Sequence, residues 1–144
     1  MREILFRGKR IDNGEWVYGN LNYGTIEIKS IKDSYYISDF DVNPWDKKFY
    51  PIIPESDGQY TGLTDKNGKK IFEGDIVKIT GFHTTAIAAV KYGSASEKST
   101  HWGWYFDDND GHTYFLMSKA FCKDYNAIII GNIHDNPELL EVTE

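Results

Sequence analysis

The chain has 144 residues and a net charge of −6, from 16 basic and 22 acidic residues. Hydrophobic residues make up 40% and aromatic residues 15%, which excludes a solvated, unfolded chain and is ample for a core. The single cysteine, Cys122, excludes an internal disulfide, and the longest aliphatic run, Ala86 to Val90, is too short to span a membrane. Met1-Arg2-Glu3 is not the basic start of a signal peptide, so the expectation is a soluble cytoplasmic protein of one domain or two packed halves.

Strand signals dominate from the start. Ile4 to Arg10 predicts a first strand, and Asn13-Gly14 a tight hairpin turn, because both residues tolerate positive φ. Trp16 to Leu21 is the return strand, Thr25 to Lys29 alternates as a third, and Ser34 to Ser38 as a fourth. Between residues 39 and 58 the alternation fails. Pro44, Pro51 and Pro54 each lack a backbone donor, so this stretch reads as an irregular crossover held down by Phe40, Trp45, Phe49 and Tyr50.

Gln59 to Leu63 then reads as a strand, followed by a second Asn-Gly turn at Asn67-Gly68 and a short strand, Lys70 to Phe72. Glu73-Gly74-Asp75 breaks the pattern before Ile76 to Ile79 resumes it. Gly74 permits a backbone angle that other residues resist, and the Asp75 carboxylate is placed to accept a nearby N–H. Ala86 to Tyr92 is the next strand, and residues 94–100 read as a mobile loop. Trp102 to Phe106 and His112 to Met117 flank an acidic hairpin turn, and Ala127 to Ile133 reads as a buried strand. One short helix is predicted near 117–124. Another is predicted near 136–141, where Asp135 caps, Pro137 opens and Glu138 follows three residues after the cap.

Together these elements predict a mainly β protein. An N-terminal β-meander (1–58, with the Pro-containing crossover 39–58) packs on a C-terminal SH3-like or otherwise curved β-barrel (59–144).

Met1-Arg2-Glu3-Ile4 with Phe6-Arg7-Gly8-Lys9, then Asn13-Gly14-Glu15-Trp16-Val17-Tyr18-Gly19, resembles the opening of the YopX-like family of phage and prophage proteins. Gly58-Gln59-Tyr60-Thr61-Gly62-Leu63, Asp65-Lys66-Asn67-Gly68-Lys69 and Phe72-Glu73-Gly74-Asp75-Ile76-Val77 resemble its centre. Gly131-Asn132-Ile133 and Asn136-Pro137-Glu138-Leu139-Leu140 resemble its end, whereas residues 81–126 match none of its motifs. The resemblance implies a β-rich protein of phage or prophage origin acting in the host cytoplasm. It brings no activity, cofactor or catalytic residue to carry over.

The residues themselves give little chemistry. His83, His101, His112 and His134 have no metal-ligand spacing, and aligning Gly111 with a calcium-loop glycine puts Phe106 and Met117 where carboxylates belong. Cys122 reads as a small core residue, and no nucleophile elbow, phosphate loop or dinucleotide fingerprint is present. Neither a catalytic residue nor a cofactor or metal site is therefore assigned.

Charge is uneven: residues 101–144 hold only Lys119 and Lys123 against eight acidic residues, so the whole deficit lies there. The expected function is a non-enzymatic binding module for a host or phage macromolecule, foremost a protein, with self-association one version of it. A single-stranded nucleic-acid binder is the alternative, using Arg7, Lys9 and Arg10, Lys66, Lys69 and Lys70, and Trp102. A cryptic enzyme is the third reading, because a site assembled in space leaves no motif.

Overall fold

The computed structural model describes residues 3–26, 31–39, 48–81, 84–93, 102–108, 113–115 and 126–141. Its eleven strands among these residues are β1 (Phe6–Lys9), β2 (Trp16–Ile26), β3 (Ile31–Ser38), β4 (Phe49–Pro51), β5 (Gly58–Thr64) and β6 (Lys70–Phe72), then β7 (Asp75–Gly81), β8 (Thr84–Gly93), β9 (Gly103–Asp107), β10 (Thr113–Phe115) and β11 (Ile128–Asn132). They form two antiparallel sheets, ordered β4-β3-β2-β1-β5-β6 and β10-β9-β8-β7-β11. The chain is mainly β, and it divides into two compact units, Met1–Tyr60 and Thr61–Glu144.

In the first unit, the Asn13-Gly14 turn closes the β1–β2 hairpin. Gly14 has φ +71°, its N–H donates to the Arg10 carbonyl at 2.9 Å, and the Asn13 side chain accepts the Glu15 N–H at 3.0 Å. The pairing Gly8↔Val17 follows, and Ile52 packs where a Cβ on Gly8 would come within 2.7 Å of it. Leu5, Ile37, Ile52 and Tyr60 are buried here. Pro51 lies in β4, where its missing N–H breaks no bond to β3; its carbonyl accepts the Ile11 N–H at 3.1 Å, and Ile52 bridges Arg10.

In the second unit, Val77, Ile79, Ala88, Val90 and Phe106 come from one face of β7, β8 and β9 and form a closed apolar cluster with Ile71 and Ala127. Strand alternation puts them there, since residues two apart share a face. The bend between β6 and β7 forms as its residues predict: Gly74 has φ +90°, and the Asp75 carboxylate accepts the Phe72 N–H at 2.7 Å. A second carboxylate organises the next turn back. Asp65, itself buried, accepts the N–H groups of Asn67 and Lys69 at 2.9 Å each and that of Ile129 at 3.1 Å.

Several expectations are corrected. The strand expected over Thr25 to Lys29 does not begin at Thr25: Thr25 and Ile26 complete an 11-residue β2, and residues 27–30 lie outside the described ones. The β2–β3 pairing draws Asn20, Asn22 and Gly24 into a strand despite their turn preferences. The five-stranded sheet is open, with edges at β10 and β11, and is not a closed barrel among the described residues. β11 is consequently half-buried, where Ile128-Ile129-Ile130 predicted a buried strand. At the C-terminus a 3₁₀ turn spans Pro137–Leu140; its N-cap is Asn136, not Asp135, and makes no side-chain cap bond. The Asn136 Oδ1 instead accepts the Asn132 N–H at 3.3 Å. The helix predicted near 117–124, the side chains Phe40 and Trp45, the loop 94–100 and Cys122 lie outside the described residues.

Candidate functional site

The residues singled out for contact fall into three places. On β1, Arg7 and Lys9 share a face and meet Trp16, which pairs across from Lys9 in β2. The Arg7 guanidinium lies 4.6 Å and the Lys9 ammonium 5.8 Å from the Trp16 ring centre. Arg7 is only 6% exposed, so this cation is packed into the unit and does not present a phosphate-binding surface.

Arg10 has the opposite orientation along the strand. Its guanidinium stacks 4.7 Å from the Tyr50 ring and donates from Nε to Asp12 Oδ1 at 2.9 Å, with a second bond from Nη2 to Oδ2. Hydrogen bonding to Asp12 holds the Arg10 guanidinium above its ordinary pKa, and the same bond holds the Asp12 carboxyl below the usual range. Arg10 is therefore engaged by a carboxylate.

Lys66, Lys69 and Lys70 are all exposed, on the Asn67-Gly68 turn and the start of β6. Their backbone is fixed: the Lys66 N–H donates to the Ala127 carbonyl at 2.8 Å, and Asp65 takes the Lys69 N–H. Asp65 lies at the centre of this turn.

Trp102 lies immediately before β9 and is 70% exposed. The register Tyr92↔Trp104 brings β8 alongside it, and Tyr92, 55% exposed, meets the Trp104 ring edge-on with centroids 4.9 Å apart. Trp104 anchors the arrangement by packing against the apolar cluster beneath, and its buried indole N–H meets no acceptor among the described residues. Trp102, Trp104 and Phe106, on one face by strand alternation, thus grade from open to buried, ending in a fully buried Phe106. Tyr92 was not singled out by the sequence reading. Its only signal is strand alternation, and its partner depends on the length of the loop that joins β8 to β9.

Lys91, next to Tyr92, alternates to the other face of β8 and forms an ion pair with Asp107 at 2.7 Å. Among the described residues, no three of His, Cys, Asp or Glu converge as metal ligands, and no helix is long and apolar enough to cross a membrane.

A family model described as YopX protein matches residues 5–141. The crystal structure of protein EF1440 from Enterococcus faecalis is similar, with a TM-score of 0.54 and 24% identity, covering 98% of this chain and 100% of that one. At that identity the likeness concerns the fold. No curated protein matches the chain.

Proposed function

The chain belongs to the YopX family, and from that premise we propose that it is a non-enzymatic binding module of phage or prophage origin, acting on a host or phage protein in the bacterial cytoplasm. The observation that carries this reading is the open aromatic face of Tyr92 and Trp102 over a partly buried Trp104. Tyr and Trp supply large contact area at little conformational cost and are enriched where proteins meet proteins. A partner that covered this face would remove two large rings from water while Trp104 holds the platform in place.

A protein partner is favoured over a nucleic acid because, among the described residues, the cation beside Tyr92 lies on the other face of β8. Lys91 lies on the opposite face and is neutralised by Asp107, while Arg7 is buried and Arg10 is paired with Asp12.

The test is affinity capture from cells carrying the phage or prophage, with wild type and Trp102→Ala side by side. A protein retained by the wild type and lost by a folded Trp102→Ala variant supports the reading. Equal retention by both, or none by either, overturns it. Fluorescence anisotropy with labelled single-stranded DNA at low salt completes the test: binding that Trp102→Ala abolishes would place the protein among nucleic-acid binders instead.

A further inference from the structure

We propose that two copies of this chain associate by pairing β2 with β2 in an antiparallel arrangement, adding strand to strand at an edge that no described residue pairs with. The proposal is independent of the aromatic face at Trp102.

The β1–β2 ladder ends at Phe6↔Gly19, yet β2 continues to Ile26 with β3 on its other side. Residues 3–5 belong to no strand. The Ile52 N–H donates to the Tyr35 carbonyl at 3.1 Å, so the Tyr35 backbone faces away from β2. Tyr23, opposite Tyr35 in the antiparallel pair, must then face its own N–H and C=O away from β3, and alternation gives Leu21 the same direction. Among the described residues nothing meets these groups.

Such an edge is an invitation to pair, and proteins blunt the ones they do not use. The other outer strands are short or already met: β4, β6 and β10 have three residues each, the Pro51 carbonyl of β4 accepts the Ile11 N–H, β6 carries Lys70, and the Asp65 and Asn136 side chains line β11. By contrast, β2 from Asn20 to Ile26 contains neither a charged residue nor a proline. A chain of net charge −6 can therefore meet itself here without placing like charges opposite one another.

The two outward residues define the register. In an antiparallel pair they must exchange hydrogen bonds, so Leu21 of one copy pairs with Tyr23 of the other, around a two-fold axis at Asn22. This places each Tyr23 ring, 64% exposed in the monomer, beside a half-buried Leu21 of the second copy. Tyr35, 46% exposed and tilted against Tyr23 with ring centres 4.7 Å apart, extends the covered stripe. The register shift between Gly24 and Ile26 ends the straight segment just where the second copy's β1–β2 ladder begins.

Sedimentation velocity on the full chain over a concentration series tests this. The expected result is a monomer–dimer equilibrium that Tyr23→Pro weakens at least about tenfold, since proline removes an outward N–H without touching the β3 ladder. Tyr23→Lys, which charges the edge, serves where the proline variant does not fold. In a Cys122→Ser background, Asn22→Cys is expected to form a disulfide-linked dimer on mild oxidation, because Cβ atoms of a non-hydrogen-bonded pair lie within disulfide reach. A Thr80→Cys control is expected not to. A monomer at every concentration, a dimer that the Tyr23 variants leave intact, or equal cross-linking at Asn22 and Thr80 would each overturn the proposal.

Discussion

Among the described residues, β11 and the far half of β2 each pair with a strand on one side only, and the chain treats the other sides in opposite ways. Along β11, side chains stand in for a missing strand: Asp65 takes the Ile129 N–H and Asn136 takes the Asn132 N–H, while the Lys66 N–H caps the Ala127 carbonyl just before it. Along β2, from Asn20 to Gly24, nothing among the described residues fills that role. The contrast teaches that an edge is a feature of sequence context as much as of topology. A carboxylate in a turn far away in the chain can silence one edge, while an uncharged run leaves the other available.

The largest effect is expected where the covered edge is stripped. Asp65→Ala removes the acceptor from three backbone N–H groups and should lower unfolding free energy by about 2–3 kcal/mol, read as a shift of the urea midpoint. A loss below about 0.5 kcal/mol would mean that water replaces the carboxylate and that the β11 edge is not held by it.

Next in size is the bend that starts β7. Gly74→Ala places a side chain at φ +90° but brings its Cβ no closer than 3.6 Å to Ile133, so the cost is conformational, about 1–2 kcal/mol. Unchanged thermal stability would refute the bend.

At the bare edge the monomer should be tolerant. Tyr35→Ala removes one ring of an exposed cross-strand pair and should cost about 0.5 kcal/mol in dilute solution. A cost several times larger would show that the ribbon is packed rather than open.

The smallest effect belongs to the Arg10–Asp12 pair. Asp12 is lowered from its ordinary value, so any stability it adds is present above the unfolded carboxyl pKa and is lost as pH falls through the folded one. Arg10 is raised, and its contribution would vanish only in strong base. Melting temperatures of wild type and Asp12→Asn should therefore converge in acid and differ slightly at neutral pH. A gap that widens on acidification would contradict the sign.

Turns were the most legible part of the chain. The Asn13-Gly14 and Asn67-Gly68 turns and the Gly74-Asp75 bend were predictable because each depends on residues within a few positions, and each forms with the expected positive φ or carboxylate bond. Trp102, named from the sequence only as a contact residue, is exposed in the structure. Burial of Arg7 was not legible, because it follows from which residues close over β1, and Trp16 reaches it only through the hairpin register. The length of β2 was hidden for a related reason: pairing with β3 overrides the turn preference of its Asn and Gly residues.

By itself, then, the amino-acid order determined the strands' alternation, the hairpin turns and the carboxylate-fixed bend, since these depend on local sterics and hydrogen bonds. Only the tertiary structure decided which edges are closed, that Arg7 is sealed away, and that Tyr92 joins Trp102 and Trp104. Those outcomes depend on register between segments distant in the chain, and a register is set by the summed packing of whole sheets, which no short stretch of residues encodes.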